Sequence, residues 1–168
     1  MTGEMERLVR SADSGRVVSE GIRTVILGKP NAGKSSLMNV LLGEERAIVT
    51  DIAGTTRDTL EEHIRMHGIS LNIIDTAGIR ETDDVVEQIG VNRAKVAADE
   101  ADLIIYVVDG SRELDENDAQ IMDLIRDRKA VVLLNKTDLE TVISEELLRE
   151  AGTERMDDSI SAKRGDWY

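Results

Sequence analysis

Thr24-Val25-Ile26-Leu27-Gly28-Lys29-Pro30-Asn31-Ala32-Gly33-Lys34-Ser35 is the stretch from which the rest of the chain is read. Its first four residues are an apolar run, expected as a buried strand, and Ser35–Leu42 after it has the pattern of a helix. Between them, Gly28 to Ser35 fits the phosphate-loop spacing G-x-x-x-x-G-K-[ST], in the strand–loop–helix setting that this loop needs. Glycines allow successive backbone N–H groups to turn inward and cradle phosphate oxygens, and the following helix adds positive potential at its N-terminus. The candidate phosphate-binding residues are Asn31, Ala32, Gly33, Lys34, Ser35 and Ser36. Lys34 would reach the β- and γ-phosphates, and the Ser35 hydroxyl would bind Mg²⁺. A plain strand–turn–helix connection has no use for the Lys-Ser pair.

Outward from this stretch the elements alternate. Glu62–Met66 and Leu71–Ile74, separated by His67-Gly68, read as a hairpin. Asp83–Ala98 reads as a helix, Leu103–Val108 as an apolar strand, Asn117–Ile125 as a helix and Val131–Leu134 as a strand. Glu145–Glu150 is expected as a short helix and Ser159–Ile160 as a last strand. Met1–Gly21 has Met5, Leu8, Val9 and Ala12 at helical spacing and is expected to be a helical linker before a domain spanning 22–168. Strands without polar alternation must be covered on both faces, which predicts an α/β fold with a largely parallel sheet between helical layers. Right-handed crossovers then put the C-terminal ends of the strands on one edge, where ligands bind.

Two further motifs follow such strand ends. Asp75-Thr76-Ala77-Gly78 comes after Leu71–Ile74; Asp75 could hold Mg²⁺ through water, and the Gly78 N–H could contact a γ-phosphate. Asn135-Lys136-Thr137-Asp138 comes after Val131–Leu134. A carboxylate at Asp138 can accept both N1–H and the exocyclic amine of guanine, a donor pair that adenine lacks. Asn135 could tie this loop to the phosphate loop, and the Lys136 stem could cover one base face. Ser161-Ala162-Lys163 could complete the base pocket through backbone N–H groups. Together these loops favour GTP over ATP and disfavour an ATP-dependent kinase.

Composition narrows the field further. The 168 residues include no cysteine, which excludes disulfides, cysteine-ligated metal and cysteine nucleophiles. A formal charge of -13 disfavours general nucleic-acid or anionic-lipid binding. Aromatic residues are 2%, too few for base stacking along a strand of nucleic acid. No apolar run approaches the roughly 20 residues of a membrane helix. The first residues have no apolar signal core, so a cytoplasmic setting without membrane contact is expected. His63 and His67 lack the spacing of a metal pair and read as surface residues.

From about Arg10 to Lys163 the chain resembles the MnmE (TrmE) family of tRNA-modification GTPases, among the translation-factor-related P-loop GTPases. The resemblance rests on Ala47-Ile48-Val49-Thr50-Asp51-Ile52-Ala53-Gly54-Thr55-Thr56-Arg57-Asp58, on Asp75-Thr76-Ala77-Gly78-Ile79-Arg80-Glu81, and on Val86-Glu87-Gln88-Ile89-Gly90-Val91-Asn92-Arg93-Ala94. It implies a three-layer Ras-like fold, with a six-stranded, mostly parallel sheet and one antiparallel edge strand. It implies GTP hydrolysis to GDP and phosphate, serving tRNA wobble-uridine modification. Its implied partners are a second G domain, the flavoprotein MnmG, and tRNA through the larger complex. The family's folate-binding, helical and C-terminal cysteine regions are not in this sequence, and the chain is expected to lack the last helix of the G domain.

Many GTPases orient the attacking water with a glutamine just after DTAG; here that position is Ile79, which cannot hydrogen-bond. Either hydrolysis is slow or another polar group takes the role. The resemblance implies Glu87, acting through a bridging water. No arginine is evidently placed to neutralise developing charge; Arg57 and Arg80 are candidates by position. The resemblance implies K⁺ instead, held by the Asn31 side chain and the carbonyls of Thr50 and Ile52, with Thr56 reaching Mg²⁺ and the γ-phosphate. The rival reading is a slow nucleotide-dependent binding switch of the ribosome-assembly type.

Overall fold

The structure, a computed structural model, describes residues 20–44, 62–66, 68–74, 87–144, 146, 148 and 156–159. Its centre is a six-stranded sheet in the order β2-β3-β1-β4-β5-β6. The strands are β1 (Ile22–Leu27), β2 (Glu62–Met66), β3 (Ile69–Ile74), β4 (Leu103–Asp109), β5 (Ala130–Asn135) and β6 (Met156–Ser159). The helices are α1 (Lys34–Glu44), α2 (Glu87–Glu100) and α3 (Glu116–Ile125). Every neighbouring pair is parallel except β2 with β3. That hairpin turns between the paired residues Met66 and Ile69, where Gly68 takes a φ of 81°.

The alternation of side chains along each strand sorts the apolar residues into two cores. On one face Ile22 and Ile26 of β1, Ile105 and Val107 of β4, and Val131 and Leu133 of β5 pack with Leu37, Met38 and Leu41 of α1. On the other, Val25 and Leu27, Ile104 and Tyr106, and Val132 and Leu134 pack with Ala97 and Ala98 of α2 and Ile121, Met122 and Ile125 of α3. Both faces are covered, which is why these strands are mostly apolar. The small alanines let α2 lie close to the sheet, while α3 brings larger side chains. The expected three-layer, mostly parallel architecture is therefore the one observed.

Helix α3 begins with a reciprocal cap. Asp115 Oδ1 accepts from Asn117 N at 2.9 Å and Asp118 N at 3.2 Å, and Asp118 Oδ2 accepts from Asp115 N at 2.9 Å. Such a cap contributes about 1 kcal/mol and fixes where the helix starts.

Several element boundaries differ from expectation: β1 begins at Ile22 rather than Thr24, α1 spans Lys34–Glu44 rather than Ser35–Leu42, α2 runs on to Glu100 rather than Ala98, and β5 spans Ala130–Asn135 rather than Val131–Leu134. Strand β3 begins at Ile69 rather than Leu71, because its pairing extends to the hairpin turn. The last strand occupies Met156–Ser159, earlier than the expected Ser159–Ile160. Val132 faces Met156 while Leu133 faces Asp158, so Asp157 is an extra residue at a register shift. An edge strand is held by backbone bonds on one side, so Met-Asp-Asp-Ser carries no apolar signal. The expected helix Met1–Gly21, and residues 83–86 of the second helix, lie outside the described residues apart from Glu20 and Gly21. Of the expected helix Glu145–Glu150, Glu146 and Leu148 are described, and both are helical.

The chain runs from β1 to β3 on one side and then to β4 on the other, so the strand order reverses at β1. The loop after β1 therefore opens into the crevice at the C-terminal ends of β1, β3, β4 and β5, where ligands bind in doubly wound sheets.

Candidate nucleotide-binding site

The loop from Gly28 to Gly33 is a compact turn leading into α1. Ala32 N donates to Lys29 O at 3.1 Å, and Leu37 N donates to Gly33 O at 2.9 Å, closing the first turn of the helix. No carboxylate lies in that first turn, so nothing opposes an anion there. Asn31 has a φ of 62°, a left-handed conformation that asparagine tolerates better than most residues. Gly33 has a φ of 107°, and a Cβ there would sit 1.9 Å from Asn135 Nδ2. Gly28 lies so close to β4 that a Cβ would sit 2.6 Å from Val107 O. The two glycines of the phosphate-loop pattern are thus fixed by close approach of neighbouring groups.

Lys34 donates from Nζ to Gly28 O, and to Lys29 O at 3.3 Å, so its ammonium is held over the loop's own carbonyls. Ser35 and Ser36 follow it in the first turn of α1; Ser36 is exposed and Ser35 lies beside it. Ala32 is buried and Asn31 is exposed.

The Asn135-Lys136-Thr137-Asp138 loop stands beside it. Asn135 is 7% exposed and donates from Nδ2 to Ala32 O at 2.9 Å, joining the two loops. Lys136 has a φ of 61° and donates from Nζ to Asp109 Oδ2 at 2.7 Å. Asp109 is buried at the end of β4, and its Oδ1 accepts from Ser111 N at 3.0 Å and Ser111 Oγ at 2.6 Å. Burial would raise the Asp109 pKa, but the bonds from Lys136 and Ser111 outweigh it and hold the carboxyl below the usual range. Gly110 N donates to Asn135 O at 2.9 Å and Val142 N to Gly110 O at 2.8 Å, so the turn after β4 braces this loop. Asp138 is half-buried at its far end.

A family model described as "50S ribosome-binding GTPase" matches residues 23–136. This chain belongs to that GTPase family. The "tRNA modification GTPase MnmE" of Lachnoclostridium phytofermentans is 60% identical over 143 residues, covering 85% of this chain and 31% of that protein. The MnmE of Alkaliphilus metalliredigens is 51% identical over 168 residues, covering 91% of this chain and 36% of that protein. The chain thus spans about a third of the length of these curated relatives. Among solved structures, a variant of Aquifex aeolicus Era bound to GDP·AlF4⁻ has a TM-score of 0.59 at 30% identity, covering 86% of this chain and 52% of that one. The G domain of the T. maritima FeoB transporter has a TM-score of 0.57 at 21% identity, covering 86% of this chain and 89% of that one, a likeness of fold alone.

In this GTPase domain the structure brings Asn31, Ala32, Gly33, Lys34, Ser35, Ser36, Asn135, Lys136 and Asp138 to one sheet edge. Glu87 opens helix α2. Thr50, Ile52, Thr56, Asp75, Gly78, Ser161, Ala162 and Lys163 lie outside the described residues. Sequence reasoning missed Asp109, whose signal was an aspartate ending a wholly apolar strand at the same edge as the recognised motifs. It also missed the pairing of Lys29 with Asp115 and Asp118, residues 86 and 89 positions away.

GTPases of this kind take a guanine nucleotide with Mg²⁺. The Ser35 hydroxyl, next to Lys34 at the start of α1, fits a Mg²⁺ held chiefly by phosphate oxygens and water. Among the described residues no group of three or more His, Cys, Asp or Glu side chains could hold a metal by itself. Asn31 offers an exposed side-chain oxygen, a donor suited to K⁺. Among the described residues no helix is long and apolar enough to cross a membrane.

Proposed function

We propose that this chain binds GTP across the two joined loops and hydrolyses it, as the GTP-driven module of a cytoplasmic tRNA wobble-uridine modification protein. The observation that supports the reading is the Asn135–Ala32 bond, which joins the Asn135-Lys136-Thr137-Asp138 loop to the Gly28–Ser35 loop. The identity to MnmE proteins, up to 60% among the relatives above, supports the tRNA-modification setting.

In this reading Asn31 to Ser36 surround the phosphates with backbone N–H groups, and Lys34 leaves its carbonyl partners for the β- and γ-oxygens. Ser35, Thr56 and, through water, Asp75 would hold Mg²⁺, which supplies charge neutralisation between the phosphates. Asp138 selects guanine, and Ser161, Ala162 and Lys163 close the pocket. With its ammonium tied to Asp109, Lys136 presents its methylene stem to the base. The Gly78 N–H would meet the γ-phosphate, and Glu87 would orient the attacking water through a bridging water. Asn31, with the carbonyls of Thr50 and Ile52, would hold K⁺ once the segment Ala47–Asp58 closes against a second G domain. The flavoprotein MnmG and tRNA would be partners of the larger protein.

Because Glu87 would act on the water and not on the bound nucleotide, Glu87→Ala is expected to lower single-turnover hydrolysis by about 100-fold while GTP affinity stays within about twofold. An unaltered rate rejects the assignment. Potassium is the second expectation. GTP hydrolysis should run at least about tenfold faster in KCl than in matched NaCl, with a dimer forming in the presence of GDP and AlFx. The alternative is a slow, partner-dependent switch, favoured by the ribosome-binding description of the family. Equal rates in both salts with a monomer throughout would put that alternative ahead.

A further inference from the structure

The phosphate loop carries a second lysine that the proposed hydrolysis does not use. Lys29 Nζ donates to Asp118 Oδ2 at 2.7 Å and to Asp115 Oδ2 at 2.9 Å. The Asp118 side chain is 4% exposed, and its other oxygen accepts from the Tyr106 hydroxyl at 2.7 Å. Tyr106 lies in β4 with no exposed surface. Both oxygens of Asp118 are therefore engaged, by groups from the phosphate loop, from β4 and from the cap of α3. Burial works to lower the Lys29 pKa, but the two carboxylates outweigh it and hold it above its ordinary value. Burial, and then the bond to Asp118, push the Tyr106 hydroxyl upward. Lys29 therefore stays a cation and Tyr106 a neutral phenol across the neutral range.

The pair is only part-buried, with the Lys29 side chain 20% and the Asp118 side chain 4% exposed, and such a pair seldom stabilises a fold more than well-packed apolar side chains would, so its place in the structure calls for another reason. Here the reason lies in the backbone of the same residue. Lys29 O accepts from Ala32 N at 3.1 Å and from Lys34 Nζ at 3.3 Å. Lys29 thus holds α3 with its side chain, reaches β4 through Asp118, and holds the turn of the phosphate loop with its carbonyl.

We propose that Lys29, Asp118 and Tyr106 form a positioning clamp that fixes the first half of the phosphate loop to helix α3 and slows nucleotide release. The inference rests on the guanine-nucleotide reading above. A loop held in its binding geometry before the ligand arrives loses less conformational freedom on binding, and affinity changes of this kind appear mostly in the dissociation rate. Base choice belongs to Asp138, so the clamp acts on GDP and GTP release without altering the preference for guanine over adenine.

The test is the release rate of mant-GDP from the purified chain, chased with excess GDP. Lys29→Met and Asp118→Asn are each expected to speed release about tenfold, with the ratio of GTP to ATP affinity unchanged. Lys29→Arg keeps a cation on both carboxylates and should return release to within about threefold of the unaltered rate, a rescue that lost packing alone would not give. The double variant Lys29→Met/Asp118→Asn removes both charges of the part-buried pair, so it keeps the test available where a single variant fails to fold. It should release no faster than the faster single variant, because the two residues act as one unit. Release from Lys29→Met within about twofold of unaltered, or singles whose effects multiply in the double, would overturn the clamp alone. Failure of the unaltered chain to bind mant-GDP would instead remove the nucleotide reading and the clamp with it.

Discussion

Asp138→Asn is expected to weaken GTP binding by about 100-fold or more and to let xanthine nucleotides bind in its place. The substitution turns one acceptor oxygen into an N–H donor facing the two donors of guanine. Two donors pointed at each other lose a charge-assisted bond and leave buried polar groups unpaired, which together cost several kcal/mol. Xanthine carries an oxygen where guanine has its amine, so it accepts what the asparagine offers. Titration with mant-GDP and mant-XDP checks both halves of the expectation. Unchanged GDP affinity in the variant would show that Asp138 does not read the base. The fold should survive, because Asp138 is only half-buried and lies in a loop.

Gly33→Ala should have an effect of similar size by another route. The backbone at Gly33 has a φ of 107°, which costs a residue with a side chain about 1–3 kcal/mol. The added Cβ would also stand 1.9 Å from Asn135 Nδ2, so the Asn135 side chain would have to move. Asn135 must then leave Ala32 O, and the side-chain bond that joins the two loops is lost. Loss of nucleotide binding by about 100-fold or more is expected, with a lower melting temperature. Adding Asn135→Ala removes the overlap but not the strain, so Gly33→Ala/Asn135→Ala should melt higher than Gly33→Ala alone. A double variant that melts lower would mean that the overlap is not what destabilises the loop.

These two predictions fall on residues that were legible in the sequence, for a physical reason. A phosphate loop needs glycine where the chain is closely approached, and a guanine carboxylate needs a strand end to stand on. Both requirements leave fixed spacings in the sequence. The apolar runs of β1, β4 and β5 were legible because strands covered on both faces carry no polar alternation. Strand β6 was misplaced because an edge strand bound through its backbone can be Met-Asp-Asp-Ser. The Lys29–Asp118–Tyr106 network was not legible at all. Its members are single polar residues whose partners are chosen by the crossing of α3 over the sheet, and no local pattern records that crossing. Asp109 stood between these cases: its position at a strand end was visible, and its partner Lys136 was not.

That the joined loops form a guanine-nucleotide site is tested most directly by displacement of mant-GDP from the chain, in Mg²⁺ and KCl, with GTP and ATP as competitors. GTP is predicted to displace the probe at concentrations at least about 100-fold below those of ATP. Equal displacement by ATP and GTP, or no binding of the probe, would contradict the site.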